Sequence, residues 1–219
     1  MGAAPPPVRH PLVLATRSTG KIREFTALCA AEDIAVETLE ALGIAEASAE
    51  DTLEVFETFA ENARAKAQHF AALLPGRIVL AEDSGLVVDA LGGGPGVRSK
   101  RWTGSTATGV ALDAENNAAL ARALTGAMDR RARYACVAVC VTAGEEWIGE
   151  GRVEGHILES PRGDGGFGYD PWFFSEELGC SFGEASREQK ARVSHRARAL
   201  RAVLARGGAV LRAQLQSVS

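Results

Sequence analysis

The stretch IVLAEDSGLVVDALGGGPGVRSKRW, residues 78–102, sets an apolar run directly against two neighbouring carboxylates. Residues 78–81 read as a buried strand, and Glu82 and Asp83 stand at its carboxyl end, where ligands of open α/β sheets collect. Burying carboxylates is costly unless positive charge answers them, and a metal ion would answer these. Adjacent residues of a strand face opposite ways, so a turn is expected at Ser84-Gly85 if both carboxylates serve one site. Pro95 and the glycines at 92, 93, 94 and 96 then open a loop, with Arg98, Lys100 and Arg101 behind it.

Working outward, residues 10–16 (HPLVLAT) read as a strand, followed by the loop RSTG and a helix over 21–31. A second short strand is expected at 34–39 and a helix at 58–74, in which Ala63, Ala67, Phe70 and Leu74 keep helical spacing and should pack. Asn62 and Lys66, four apart, share a different face. Downstream, a helix is expected over 112–124, then two long strands, 134–142 and 147–158, paired antiparallel. A loop holding PRGDGGFGYDPWFF follows, and the end is helical with Ser194 as its N-cap. Alternation of helix and strand followed by a hairpin indicates an α/β protein with a mixed sheet.

A chain of 219 residues, 46% hydrophobic, buries roughly 70–75% of its unfolded surface, enough for one good core. One domain over 10–219 is expected, with the Pro-rich residues 1–9 disordered. No apolar run approaches the roughly 18 residues of a membrane span, and MGAAPPPVRH lacks the apolar core of a signal peptide. A soluble cytoplasmic protein without a membrane partner is the expectation. The four cysteines, Cys29, Cys136, Cys140 and Cys180, show no CxxC spacing and read as buried thiols. A net charge of −4 argues against a general nucleic-acid surface. Yet from Ser186 onward eight Lys or Arg face a single acid, Glu188, which fits either a solvated basic helix or an anion-facing one.

ATRSTGKI, residues 15–22, nearly spells a phosphate-binding P-loop, but Ala15 replaces its first Gly and Ile22 its Ser or Thr. What survives is Lys21 at a helix amino terminus, where free N–H groups suit an anion. The acids Glu46, Glu50, Asp51, Glu54, Glu57 and Glu61 gather ahead of the second helix, mostly as dipole partners. GGFGYDP offers glycines for close approach and two rings that would flank a planar base, or else an aromatic turn of the core.

Six motifs in order, TxxxxK at Thr16 to Lys21, ENAxxKA at Glu61 to Ala67, EDSGLxVDAL at Glu82 to Leu91, GGxPG, FGYDP at Phe167 to Pro171 and SHRxxAL at Ser194 to Leu200, resemble the inosine/xanthosine triphosphate pyrophosphatase family. The resemblance implies a long mixed sheet flanked by helices, two lobes with a central cleft, and a homodimer. It implies Mg2+-dependent hydrolysis of noncanonical purine nucleoside triphosphates (ITP, dITP, XTP) to the monophosphate and pyrophosphate. By the same resemblance Asp83 is the general base, and Glu54, Glu82 and Asp83 hold the metal. Thr16, Ser18, Lys21, Lys66 and Lys190 bind the phosphates, and Ser84, Phe167, Gly168, Tyr169, Asp170, His195 and Arg196 form the base pocket. Backbone N–H groups of Phe167, Gly168 and Tyr169, with His195 and Arg196, would make a pocket of donors for a purine carbonyl. Two positions depart from the family pattern: Ser18 stands where Asn is usual, and Phe56 where Gly is common. A P-loop-like kinase or NTPase, and a non-catalytic nucleotide-binding module, are the alternatives.

Overall fold

The computed structural model describes residues 9–216. Leu12–Leu14 (β1), all buried, pairs in parallel with Val36–Thr38 (β2) on one side and Ile78–Val88 (β3) on the other. Parallel neighbours need crossover connections, and Thr19–Ala31 (α1) and Phe59–Leu73 (α2) supply them. Ser18 and Thr58 cap the two helices, each side-chain oxygen accepting a backbone N–H of the first turn. From β3 onward the sheet is antiparallel: Arg131–Val141 (β4), Glu146–Ile157 (β5), Phe173–Ser175 (β6) and Cys180–Ser181 (β7) follow in spatial order. The complete order is β2-β1-β3-β4-β5-β6-β7. Gly109–Ala123 (α3), Arg187–Val193 (α4) and His195–Gln214 (α5) complete the chain.

Alternation along β1 divides the core. Leu12 and Leu14 join Phe25 and Leu28 of α1 with Leu200, Val203 and Leu204 of α5, whereas Val13 and Ala15 join Ala63, Ala67 and Phe70 of α2. A third cluster, with Leu86, Val88, Leu120, Tyr134, Phe173 and Phe182, fills the antiparallel half. The apolar face expected for α2 is the one that packs.

The helix α5 lies directly on β5 because Gly149 and Gly151 carry no side chain. A Cβ at Gly149 would sit 2.2 Å from the Ala199 carbonyl oxygen, and one at Gly151 2.1 Å from that of His195. This seat fixes the helix start that carries His195 and Arg196.

Two expectations need correction, and a third is not reached. β3 does not end at Ala81 with a turn at Ser84-Gly85; β4 pairs with it as far as Val88↔Ala132 and keeps it extended. Gly85 serves instead as a gap into which the Gly96 carbonyl fits, 2.2 Å from where a Cβ would be. The segment read as one loop through Phe174 contains β6, which pairs with the end of β5. The disordered start expected for residues 1–9 lies outside the described residues except for Arg9. Among the described residues no helix is long and apolar enough to cross a membrane.

Gly151→Ala forces α5 off the sheet, so a loss of about 1–3 kcal/mol in a urea unfolding titration is expected, with the melting midpoint lowered and secondary structure retained.

Candidate active site

β1 ends at Leu14; Ala15 donates one more hydrogen bond to Leu80 at 2.8 Å, and the chain turns away through Thr16 and Ser18 into α1. β3 continues, so Glu82 and Asp83 have β4 on one side and no strand on the other. Side chains alternate across a sheet, and the two carboxylates meet different helices. Glu82 faces α1 and α5: Lys21 Nζ is 2.7 Å from its Oε1 and Arg196 Nε 3.8 Å. The Lys21 contact is an ion pair without hydrogen-bond alignment. The Cys136 thiol donates to Oε2 at 3.4 Å. Asp83 faces α2: Asn62 Nδ2 donates to its Oδ2 at 2.9 Å, and Lys66 Nζ is 3.9 Å from Oδ1.

Lys66 also donates to Glu54 Oε1 at 2.6 Å, while Arg101 holds Glu54 through its Oε2 (3.0 Å) and its carbonyl (2.8 Å). A second group of charges lies where α1, α4 and α5 meet. Lys190 donates to Glu24 Oε1 (2.6 Å) and Asp170 Oδ2 (2.5 Å); Arg196 donates to Glu24 Oε2 (2.9 Å) and Ser84 Oγ (2.8 Å). The Phe167 ring lies against Gly20, where a Cβ would approach it to 2.8 Å, with Lys190 Nζ and Arg196 Cζ each 5.2 Å from its centroid.

Burial and neighbouring charge compete over the protonation of these groups, and the winner differs from group to group. Glu82 is desolvated, which raises a carboxyl, but Lys21, Arg196 and Lys66 outweigh this and hold it well below the usual carboxylate range. Glu54 is likewise desolvated and still held at about 2, by Lys66 and then Lys21. For Asp83 desolvation prevails over both lysines and raises its carboxyl, as burial also raises that of Asp170. Burial, then Arg196 and Lys190, keep the His195 imidazole neutral.

The site residues expected from the sequence divide into three groups. Glu54, Lys66 and Asp83 converge, as do Lys21, Glu82, Arg196 and Ser84, and as do Lys190, Asp170 and Phe167. Thr16 and Ser18 are engaged in the turn itself: Thr16 Oγ1 accepts the Ser18 N–H at 3.2 Å, and Ser18 Oγ accepts that of Lys21 at 3.5 Å. The donor pocket is not formed as expected. The Phe167 N–H is taken by Asp170 Oδ2 and the Gly168 N–H by Asp113 Oδ2, each at 2.8 Å. Of the two readings of the aromatic loop, Tyr169 follows the core one, its hydroxyl donating to the Ser99 carbonyl at 2.8 Å. His195 is wholly buried, stacked on Tyr134 at 4.7 Å and 6°. Among the described residues no three Asp, Glu, His or Cys side chains converge as a ready metal cage, because Glu82 and Asp83 take opposite faces.

Glu24, Asn62 and Cys136 escaped the sequence reading as functional residues, and Arg101 stood in it only as one of the cations behind the Gly-rich loop. Glu24 had a signal, since it lies one helical turn beyond Lys21, and Asn62 stood inside a motif without a role. A cavity of about 500 Å3 behind α1, α4 and α5 shares none of these residues; Leu28, Ala191, Leu200 and Arg201 are among those lining it.

The mixed sheet, with cations and carboxylates paired at the open edge of its central strand, defines an α/β protein with a charged edge site. The chain belongs to the Ham1 family, whose model matches residues 12–206. It is 47% identical over 192 residues to a dITP/XTP pyrophosphatase of Ralstonia nicotianae, covering 86% of this chain and 92% of that one. It is 45% identical to the dITP/XTP pyrophosphatase of Geobacillus kaustophilus over 86% of this chain and 90% of that one. Among solved structures, the Staphylococcus aureus Ham1 protein matches with TM-score 0.73 and 33% identity over 90% of this chain and 97% of its own. A nucleoside-triphosphatase / dITP/XTP pyrophosphatase from Mycobacterium abscessus matches at 0.65 and 35% over 89% and 99%. The resemblance drawn from the six motifs therefore holds.

Asn62 joins Asp83 to the Phe56 backbone, accepting its N–H at 3.0 Å and donating to its carbonyl at 3.2 Å. Asn62→Ala leaves these groups unpaired and costs about 1–3 kcal/mol in urea; chymotrypsin should then cut faster after the exposed Phe56.

Proposed function

We infer that this chain hydrolyses noncanonical purine nucleoside triphosphates, ITP, dITP and XTP, to the nucleoside monophosphate and pyrophosphate, removing deaminated purines from the nucleotide pool. The observation that carries the inference is the pairing of Lys21 with Glu82 and of Lys66 with Glu54 and Asp83, read together with relatives named dITP/XTP pyrophosphatase. A triphosphate offers the lysines several anionic oxygens, and carboxylates released from those lysines are hard oxygen donors of the kind Mg2+ takes. Lys66 marks a point shared by Glu54 and Asp83 at which a cation already sits. Glu54 and Asp83 therefore offer donors that fit the ion, and Glu82, which the resemblance adds as a third holder, faces Lys21 on the other side of the strand. When bound, Mg2+ neutralises phosphate charge and polarises the phosphoryl oxygens.

The residues' own work follows. Asp83, whose carboxyl burial raises, accepts a proton from the attacking water. The water oxygen bonds to the α-phosphorus as the bond to the departing pyrophosphate breaks. Lys21, Lys66 and Lys190 hold phosphate oxygens, and Thr16 and Ser18 shape the turn against them. Phe167, flanked by Lys190 and Arg196, supplies a face for the purine, and Ser84, Gly168, Tyr169, Asp170 and His195 complete the base pocket that the resemblance implies. We propose a homodimer, as the resemblance implies, acting in the cytoplasm without a nucleic-acid or membrane partner. A P-loop-like kinase would transfer or release the terminal phosphate, and none of the relatives named above is a kinase.

Pyrophosphate rather than phosphate as the product of dITP hydrolysis tests the reading, and phosphate would overturn it. Asp83→Asn should retain the fold and lower turnover by about 10²–10⁴, and chelation of divalent ions should abolish turnover, restored by Mg2+. Arg196 has donors alone, so a purine with a carbonyl at C6 suits it and adenine's amino group does not. ATP is therefore expected to fall below dITP in kcat/KM by about 10²-fold or more, and a panel with pyrophosphate detection measures the ratio.

A further inference from the structure

We propose that Asp113 and Asn117 of α3 are positioning residues for nucleotide binding, clamping Gly168 from both sides and so fixing the pose of the neighbouring Phe167 ring. This rests on the functional reading above, in which Phe167 is the face offered to the purine.

Both side chains act on one residue. The Gly168 N–H donates to Asp113 Oδ2 at 2.8 Å, and the Gly168 carbonyl accepts from Asn117 Nδ2 at 3.0 Å. Positions four apart on a helix lie on one face, so a single face of α3 grips both polar groups of that residue. Gly168 has φ +62°, a conformation that glycine adopts without steric cost. Glycine is also free to leave it, and the two bonds hold it there. On the other side, the Phe167 N–H is held by Asp170 Oδ2, itself bound by Lys190. The backbone is thus tied on both sides of Phe167, whose ring meets Gly20, Lys190 and Arg196.

The clamp is mounted on a fixed element. Leu112 and Leu120 bury α3, and Asn116 between the two clamp residues ties it to the Lys100 carbonyl at 3.1 Å and to Thr103 N–H at 3.3 Å. Tyr169 closes the ring of contacts through the Ser99 carbonyl. The Asn117 Oδ1 is buried without a partner, so the amide's one hydrogen bond, and with it its orientation, is to Gly168. Nothing else in the site uses these two side chains: their hydrogen bonds among the described residues go to Gly168 and to none of the carboxylates or lysines. Their effect on the ligand is therefore indirect, through the position of an aromatic face, and is confined to the base side.

The test compares the parent with Asp113→Ala, Asp113→Asn and Asn117→Ala in three measurements: kcat and KM for dITP, the Kd of dIMP by calorimetry, and the competitive Ki of inorganic pyrophosphate. A backbone N–H bonded to a carboxylate is among the stronger hydrogen bonds. Asp113→Ala and Asn117→Ala are expected to raise the KM for dITP and the Kd of dIMP by about tenfold, with kcat changed less than about twofold and the pyrophosphate Ki unmoved. Asp113→Asn keeps an acceptor oxygen and should restore both constants to within about threefold of the parent. Unchanged dIMP affinity in either alanine variant overturns the proposal. So does a fall in kcat at constant KM, or a loss of dIMP and pyrophosphate affinity together, since these are the marks of a general structural role. If Asp113→Ala does not fold, Asn117→Ala decides by the same criteria. A parent that releases no pyrophosphate from dITP and binds no dIMP fails the functional reading and takes the clamp with it, a result distinct from a working parent with indifferent variants.

Discussion

The difference in length between two neighbouring strands governs the site. β1 stops at Leu14 while β3 runs on to Val88, and the gap leaves a stretch of central strand with one free edge. The strand's alternation sends Glu82 toward α1 and α5 and Asp83 toward α2. The turn that departs from β1 delivers Lys21 to one face, and α2 delivers Lys66 to the other. Had β1 matched β3 in length, the edge would be hydrogen-bonded and these carboxylates would be internal charges with no route to a ligand.

Buried carboxylates are stable here because each is matched. Burying an ion costs several kcal/mol, and removing one member of a pair leaves the other uncompensated. Glu24 illustrates the economy of the arrangement, since one carboxylate orients both Lys190 and Arg196 from different helices. Those helices meet at that point because α5 rests on the glycines of β5 and α1 packs against α5 through Phe25 and Leu28. Apolar packing brings the helices together, and the ion pairs then select the side-chain positions.

Local patterning in the sequence was sufficient for the helices that carry Lys21, Lys66 and Arg196, because capping residues and apolar spacing are short-range signals. Ser194 as the cap of α5 and the Ala63-Ala67-Phe70 face of α2 are of this kind. The extent of β3 was not legible, because it is decided by pairing with β4, about fifty residues further on, which no local pattern announces. The same holds for β6, three residues whose strand character comes from β5. Motif order identified the family and most of the charged cluster. It left open whether the aromatic loop joins the core, as Tyr169 does, and did not reveal that Asp113 and Asn117 answer Gly168 across separations of 55 and 51 residues.

Five cations at the site, Lys21, Lys66, Arg101, Lys190 and Arg196, all begin in contact with a carboxylate, and the whole chain carries a net charge of −4. A polyanion approaching such a surface meets little long-range attraction, since electrostatic steering depends on an uncompensated field of opposite sign. The encounter is then governed by ordinary diffusion, and added salt, which screens fields over about 8–10 Å, has little to weaken. Selectivity among anions is decided only after arrival, by whether a newcomer can take each ammonium and guanidinium from the partner that already holds it.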